Sequence, residues 1–211
     1  PFGPGAILDW GQECFVVLDT KSGDGWKRAQ RVTLPRLQER LGAPDGFRLP
    51  PIKGEYSRAP ALAVMRFPKW LFCPTCRYMV RWSRDDEVRL KRSPDDKKRI
   101  PRCTRQKCDG SILVPMRYVA ACEGGHLSDI DWWRWAHSRK KGSEGACDRT
   151  QPKLRFVADT SKGSSLEALY VACVACDAKR DLGDLQAKHA LPAGGPGSQR
   201  RHPWRAKDEG D

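Results

Sequence analysis

The sequence predicts an α+β fold built from small, loop-rich modules with short strands and short helices, and three observations carry that prediction. Nine cysteines stand in 211 residues, and two pairs are spaced C-x2-C. Gly (19) and Pro (16) interrupt the chain so often that long regular elements have little room. Hydrophobic residues make up only 39% of the chain against 31% charged, so the apolar interior is thin and some further cross-link must contribute to stability.

The choice between disulfides and metal follows from how the cysteines are grouped. They are Cys14, Cys73, Cys76, Cys103, Cys108, Cys122, Cys147, Cys173 and Cys176, an odd number. Residues 1–9 lack the basic start and apolar run of a secretory signal, and no stretch reaches eighteen apolar residues. Close pairs in such a chain read as metal knuckles of zinc-ribbon type in a reducing cytoplasm, not as a disulfide framework.

The elements read in order as follows. Residues 6–10 and 13–18 are two apolar runs broken by Gly11, a strand pair. Thr33-Leu34-Pro35 opens a short helix, with Pro in its first turn, Leu37 and Leu41 a turn apart, and Gly42 as terminator. Residues 43–60 hold four prolines and no period, an extended connection. Residues 65–72 form a strand entering Cys73-Pro74-Thr75-Cys76, and 78–82 a strand leaving it. The run 84–102 is charged almost throughout and reads as a solvated loop. Cys103-x4-Cys108-Asp109-Gly110 is a second knuckle, and 112–119 returns as a strand. Ser128-x-x-Asp131 resembles a capping box, with Ile130, Trp133 and His137 at helical spacing. Residues 138–152 form a basic loop around Cys147, and 154–157 a strand. Ser164-x-x-Glu167 opens a helical turn, 169–172 runs as a strand into Cys173-Val174-Ala175-Cys176, and a helix is expected over 181–190. The organisation read from this pattern is an N-terminal segment 1–60, a basic four-cysteine ribbon 61–118, a second metal-binding module 119–190 with a Trp-rich helix, and a Gly/Pro-rich, charged tail 191–211 expected to be disordered or truncated.

A structural zinc ion takes four soft ligands in a tetrahedron, and a C-x2-C turn aims two thiolates at one ion while nearby amides solvate the sulfurs. Cys73/Cys76 and Cys103/Cys108 stand 26 residues apart, enough for the paired strands of a ribbon. A second zinc has six candidate ligands for four places: Cys122, His126, His137, Cys147, Cys173 and Cys176. Cys173 and Cys176 form a knuckle after a strand, Cys147 sits in a loop with no other reason to hold a cysteine, and Cys122-x3-His126 offers one ligand or two. His137 is either a ligand or a cap for its own helix end. Cys14, alone in an apolar strand, reads as a small buried hydrophobe.

The net charge is +13, and residues 61–118 supply +9 of it with 15 basic and 6 acidic side chains. Basic and aromatic residues alternate in Arg66-Phe67-Pro68-Lys69-Trp70, Arg77-Tyr78 and Arg81-Trp82. Cations that neutralise phosphate beside rings that stack on bases make a nucleic-acid surface. The expected contacts are Lys69, Arg77, Arg81, Lys91, Arg92, Lys97, Lys98, Arg99, Arg102, Arg105 and Lys107. An acidic protein partner would use the same cations, and the tryptophans also serve a metal-stapled core. Phosphate-binding G-x-x-x-x-G-K-[ST] and G-x-G-x-x-G patterns and the nucleophile pattern G-x-S-x-G do not occur. A surplus of thiolates argues for closed structural sites over catalytic zinc, although Glu123, Asp129 and Asp131 lie near His126. No enzyme activity and no small-molecule substrate are expected.

An ordered series of motifs adds a resemblance. Phe2-Gly3-Pro4-Gly5-Ala6, then Arg66-Phe67-Pro68-Lys69-Trp70-Leu71-Phe72-Cys73-Pro74-x-Cys76, then residues 114–129 with Cys122-x-x-Gly125-His126-Leu127-Ser128-Asp129, then Trp132-x-x-Trp135-x-His137, together resemble the DrmB family. These are helicase-associated proteins of the bacterial anti-phage system DISARM, and the resemblance covers most of residues 1–180. It implies a non-enzymatic accessory subunit that binds a superfamily-2 helicase of the DrmA type and helps it engage DNA. Members of that family are usually much longer, which implies an N-terminal region or a truncated relative.

Overall fold

The computed structural model describes residues 3–19, 26, 29–49, 63–94, 99–121, 126–139 and 147–187. They form small antiparallel sheets and short helices, the α+β arrangement expected. The chain divides into two compact units, and the described residues of one fall within 3–8 and 15–66 and those of the other within 9–14 and 67–187.

β1 (Ile7–Trp10), β2 (Glu13–Val17) and β5 (Val64–Arg66) make a sheet ordered β1-β2-β5, and the first unit also holds β3 (Arg31–Val32) and β4 (Phe47–Arg48) as a separate pair. Burial of Cys14 and Val16, two residues apart, gives β2 its inward face, and Val17 is buried on the other. Helix α1 (Pro35–Leu41) has Pro in its first turn, and Gly42 ends it in the left-handed region at φ 61°. β4 lies within the stretch 43–60 read as an extended connection, whose residues 50–60 lie outside the described residues.

The second unit holds both C-x2-C pairs. β6 (Trp70–Phe72) is central to a sheet ordered β7-β6-β8, with β7 (Met79–Arg81) and β8 (Val114–Pro115) on its two sides. β9 (Val119–Ala121) and β10 (Leu127–Asp129) pair separately, and β11 (Leu154–Ala158), β12 (Leu169–Cys173) and β13 (Lys179–Asp181) make a sheet in that order. The largest apolar cluster packs Trp132 and Trp135 of helix α3 (Trp132–His137) against Trp70, Met79, Met116, Leu154, Val171 and Leu182. A smaller cluster of Leu71, Cys73, Cys108 and Leu113 backs the four-cysteine site.

Several expected elements are corrected. The strand over 65–72 is two strands, since β5 and β6 join different sheets on either side of Phe67-Pro68. The run 112–119 likewise divides between β8 and β9. The charged run is not all loop, because Arg84–Lys91 forms helix α2. Ser83 accepts a hydrogen bond from the Asp86 amide while the Asp86 carboxylate accepts from the Ser83 amide. Acidic residues then fill the first turn and Arg89 and Lys91 the last, as the helix dipole favours. The helix buries no residue, so hydrophobic periodicity gave no sign of it. Ser128 does not cap α3, being paired with Ala120 in β10; the cap is Asp131, which accepts from the Arg134 amide at 3.0 Å. The turn at 164–167 is a 3-10 turn over Leu166–Ala168 that follows Ser165. In place of a helix over 181–190, Asp181 ends β13, the Leu182 amide bonds back to the Leu169 carbonyl, and turns follow to residue 187. Residues 188–190 and the tail 191–211 lie outside the described residues.

Candidate metal centres

Two groups of four donors come together in the second unit. Cys73, Cys76, Cys103 and Cys108 form one, and His137, Cys147, Cys173 and Cys176 the other, with all donor atoms of each group within 4.8 Å of one another. None of the eight described cysteines is in a disulfide.

The two C-x2-C turns share one backbone solution. In the first, the Cys73 amide donates to the Tyr78 carbonyl (2.9 Å) and the Arg77 amide to the Cys73 carbonyl (2.8 Å). In the second, the Cys173 amide donates to the Ala178 carbonyl (2.7 Å) and the Asp177 amide to the Cys173 carbonyl (3.1 Å). Each turn is closed by a residue in the left-handed region, Arg77 at φ 64° and Asp177 at φ 58°. Asp tolerates that region, whereas Arg is unusual there. Arg77 is held by its side chain: the guanidinium lies 4.9 Å from the Phe72 ring centroid and 5.1 Å from that of Phe156, and Nε donates to the Phe156 carbonyl at 2.7 Å. Burial lowers its pKa.

The wider pair Cys103-x4-Cys108 closes differently. A 3-10 turn over Gln106–Cys108 leads into Asp109 and Gly110, both at positive φ, and the Cys103 amide donates to the Ser111 carbonyl at 2.8 Å. Thr75 and Ser111 hydroxyls meet at 2.8 Å, tying this loop to the first knuckle. Cys76 and Cys103 sulfurs stand 3.8 Å apart, and the Cys76 amide points at the Cys73 sulfur at 3.5 Å.

At the second group, α3 delivers His137 and β12 leads directly into Cys173. His137 Nε2 is 3.3 Å from the Cys176 sulfur, and Cys147 and Cys173 sulfurs are 3.6 Å apart. The other ring nitrogen, Nδ1, is 2.7 Å from the Trp133 carbonyl. A carbonyl can only accept, so that contact assigns the proton to Nδ1 and leaves the Nε2 lone pair facing the sulfurs. This is the arrangement that orients a ligating imidazole. Stacking on Trp133, with centroids 4.4 Å apart, fixes the ring plane.

The thiols respond unequally to their surroundings. Burial opposes ionisation of Cys73, yet amide donation from Cys76 and Thr75 and contact with neighbouring thiols lower its pKa to about 7. For Cys176 burial likewise acts upward and is outweighed by the Ala178 amide, the other thiols and His137, again to about 7. Their partners move the other way. Desolvation and the other sulfurs push Cys108 up to about 12, and contact with Cys176 followed by desolvation does the same for Cys147. Cys103 is raised by burial. Each group thus holds one ready thiolate beside thiols that resist ionisation, a distribution that a divalent cation would relieve. Four thiolates, or three with an imidazole, is the donor chemistry of a borderline-soft ion and leaves no position for water.

The remaining residues of interest are placed as follows. His126 precedes β10 and belongs to neither group, His137 filling the fourth position of the second; Cys122 lies outside the described residues. Cys14 is buried in β2. Among the basic residues, Arg77 is engaged as above, Arg99 Nε donates to the Ser93 carbonyl, and Arg102 donates to the Gly110 carbonyl at 2.9 Å. Lys91 and Arg92 end α2, and Lys69 and Arg81 flank the carboxylate of Asp129, which accepts from the Lys69 and Trp70 amides. Arg105 and Lys107 project from the Cys103–Cys108 loop, while Lys97 and Lys98 lie outside the described residues. Arg155 is one cation that sequence patterning does not single out. It faces outward from β11 between the buried Leu154 and Phe156, opposite Tyr78. The alternation of β11 is the only sequence signal of its exposure.

No helix among the described residues is long and apolar enough to cross a membrane. A family model described as "Domain of unknown function (DUF8724)" matches residues 1–211. The chain is also 34% identical over 84 residues to "DISARM protein DrmB" of Bacillus paralicheniformis, an alignment that covers 40% of this chain and 12% of that protein. The chain thus spans a small part of that relative's length, and the likeness read from the ordered motifs is found as a partial similarity to DrmB.

Proposed function

We propose that this chain, which belongs to the DUF8724 family along its whole length, is a two-zinc, non-enzymatic accessory module of a bacterial anti-phage defence complex. In this reading it acts in the cytoplasm beside a DrmA-like superfamily-2 helicase and helps that helicase engage DNA. The observation that carries the reading is the pair of closed four-donor groups in a chain with partial likeness to a DISARM protein.

Zinc suits both donor sets. Cys73, Cys76, Cys103 and Cys108 would hold one ion, and His137, Cys147, Cys173 and Cys176 the other. Bound there, the ions supply folding free energy that a thin apolar interior does not. The protein's own residues do the rest: knuckle amides solvate thiolates, Trp133 orients His137, and Arg77 locks the first knuckle against β11. The four-cysteine ribbon, 61–118, presents the excess of positive charge, and 119–190 forms the second metal-binding module. A hydrolytic reading built on His126, His137 and Asp129 is disfavoured by the engagement of His137 with thiols and of Asp129 with two backbone amides.

The test is elemental analysis of the purified chain, followed by co-expression with a helicase encoded beside it. Two zinc ions per chain and co-purification of the helicase, with tighter DNA binding by the pair than by the helicase alone, are expected. A compact metal-free protein, or a helicase that ignores it in capture and in DNA affinity, overturns the reading.

A further inference from the structure

A cleft of about 410 Å³ lies beside the four-cysteine group, lined among others by Tyr78, Arg105, Gln106, Lys107 and Arg155. Its lining holds three cations and no carboxylate. Arg105, Lys107 and Arg155 have no ion pair among the described residues, in contrast to Arg139, Arg149 and Arg180, each of which meets an aspartate. Like charges brought together without a counter-ion repel one another, so a site that keeps three is suited to an anionic ligand or offsets them with another negative group.

The two arginines are preorganised. The Arg105 guanidinium carbon is 3.3 Å from the Tyr78 ring centroid and that of Arg155 is 5.6 Å from it. Stacking holds a guanidinium by its face and leaves its N–H edge free, which is the edge that grips phosphate oxygens. The backbone fixes both. Arg105 sits in the loop between Cys103 and Cys108, its carbonyl accepting from the Cys108 amide at 3.0 Å. Arg155 sits on β11, which joins the first knuckle through the Tyr78–Arg155 bridge and the Phe156 amide bond to the Arg77 carbonyl at 2.9 Å. A second cleft, of about 570 Å³, shares Tyr78 and Arg105 and adds Trp82, Arg102 and the paired Asp86 and Arg89, so it lacks the carboxylate-free lining of the first.

We infer that the Tyr78–Arg105–Lys107–Arg155 cleft is a phosphate-binding site for the phosphodiester backbone of a nucleic acid, assembled from the four-cysteine ribbon and β11 together. This rests on the DNA-engaging role proposed above and narrows it to one site, to which Arg155 contributes from outside the basic segment. The competing use of these cations is to neutralise the excess charge of the ribbon's own zinc-bound thiolates. Cys76 and Cys108 also line the cleft, and four thiolates on one Zn²⁺ leave two negative charges. Three cations exceed that need.

The test is fluorescence anisotropy of the zinc-loaded full chain with a labelled 20-mer, single-stranded and duplex, over a salt series, with inorganic phosphate as competitor. Arg155→Gln and, separately, Lys107→Gln are compared with Lys162→Gln, an equal charge change at an exposed site elsewhere. Each cleft variant is expected to weaken binding by about fivefold and to reduce the salt slope by about one contact, roughly 0.7 for the single strand or 0.9 for the duplex. Zinc content should stay unchanged. Larger losses with the single strand would identify it as the occupant, and larger losses with the duplex would identify that. Cleft variants that bind like wild type, or lose no more than Lys162→Gln, overturn the cleft while DNA engagement through the other basic residues stands. Variants that lose zinc but keep their affinity overturn it in favour of thiolate neutralisation. A wild-type chain that binds neither oligonucleotide alone or with the helicase overturns both readings.

Discussion

Replacing His137 by Ala separates a ligand from a helix cap. The ring is 6% exposed, stacks on Trp133, donates from Nδ1 to the Trp133 carbonyl and directs Nε2 at Cys176. Structural zinc contributes about 10–16 kcal/mol of apparent binding free energy across four ligands, so one ligand is worth ~3 kcal/mol, about a 150-fold loss of zinc affinity. Removing a buried ring leaves a cavity that costs a further ~2–3 kcal/mol of stability. The expected result for His137→Ala is one tightly held zinc instead of two by elemental analysis, with the second ion lost in competition against a chromophoric chelator. His137→Cys should retain both ions, since a thiol restores the donor although it also lacks the ring. If His137→Ala keeps two ions with an unchanged competition curve, the imidazole is not a ligand. The fourth donor would then have to be sought at His126 or Cys122.

Other expectations follow from the same geometry. Zinc binding to the metal-free chain at pH 7.5 in weak buffer should release at least two protons at the first group, because Cys103 is raised and Cys108 lies at about 12. Acidification should correspondingly weaken zinc retention, and an indicator dye that records no proton release would contradict this. Arg77→Ala removes a guanidinium packed on Phe72 and Phe156 and a bond to the Phe156 carbonyl, and should lower stability by ~2–3 kcal/mol in chemical denaturation. Ser83→Ala should cost α2 ~1 kcal/mol, read as faster amide exchange over 84–91 with little change in global melting. Burial acts against ionisation of Asp86, but Ser83 and Arg89 outweigh it and lower its pKa. Its contribution to α2 is therefore complete above the ordinary carboxylate range and lost as pH falls through the lowered value. Asp86→Asn should remove that pH dependence from the exchange profile.

The parts legible in the sequence are those set by short-range backbone chemistry. A C-x2-C pair can close only as a tight turn, so Cys73/Cys76 and Cys173/Cys176 announced both knuckles, and Pro35 and Gly42 announced the ends of α1. Helix α2 was equally local, but its signal lay in Ser83 and Asp86 and not in apolar spacing, because the helix buries nothing. Arg77 in the left-handed region had no sequence signal, since its conformation is held by Phe72 and Phe156, the latter 79 residues away.

By itself the sequence determined that this chain gathers thiolates at two places, keeps a thin core and concentrates positive charge in 61–118. Only the tertiary structure decided which donor completes the second group and which cations share a cleft. His137 and Cys176 are 39 residues apart, and Arg155 meets Tyr78 only because β11 docks on the first knuckle. Backbone turns are specified by neighbours along the chain. Ligand sets and charge clusters depend on which surfaces pack together, and that is set by the burial of Trp132, Trp135, Leu154 and Val171 in one interior.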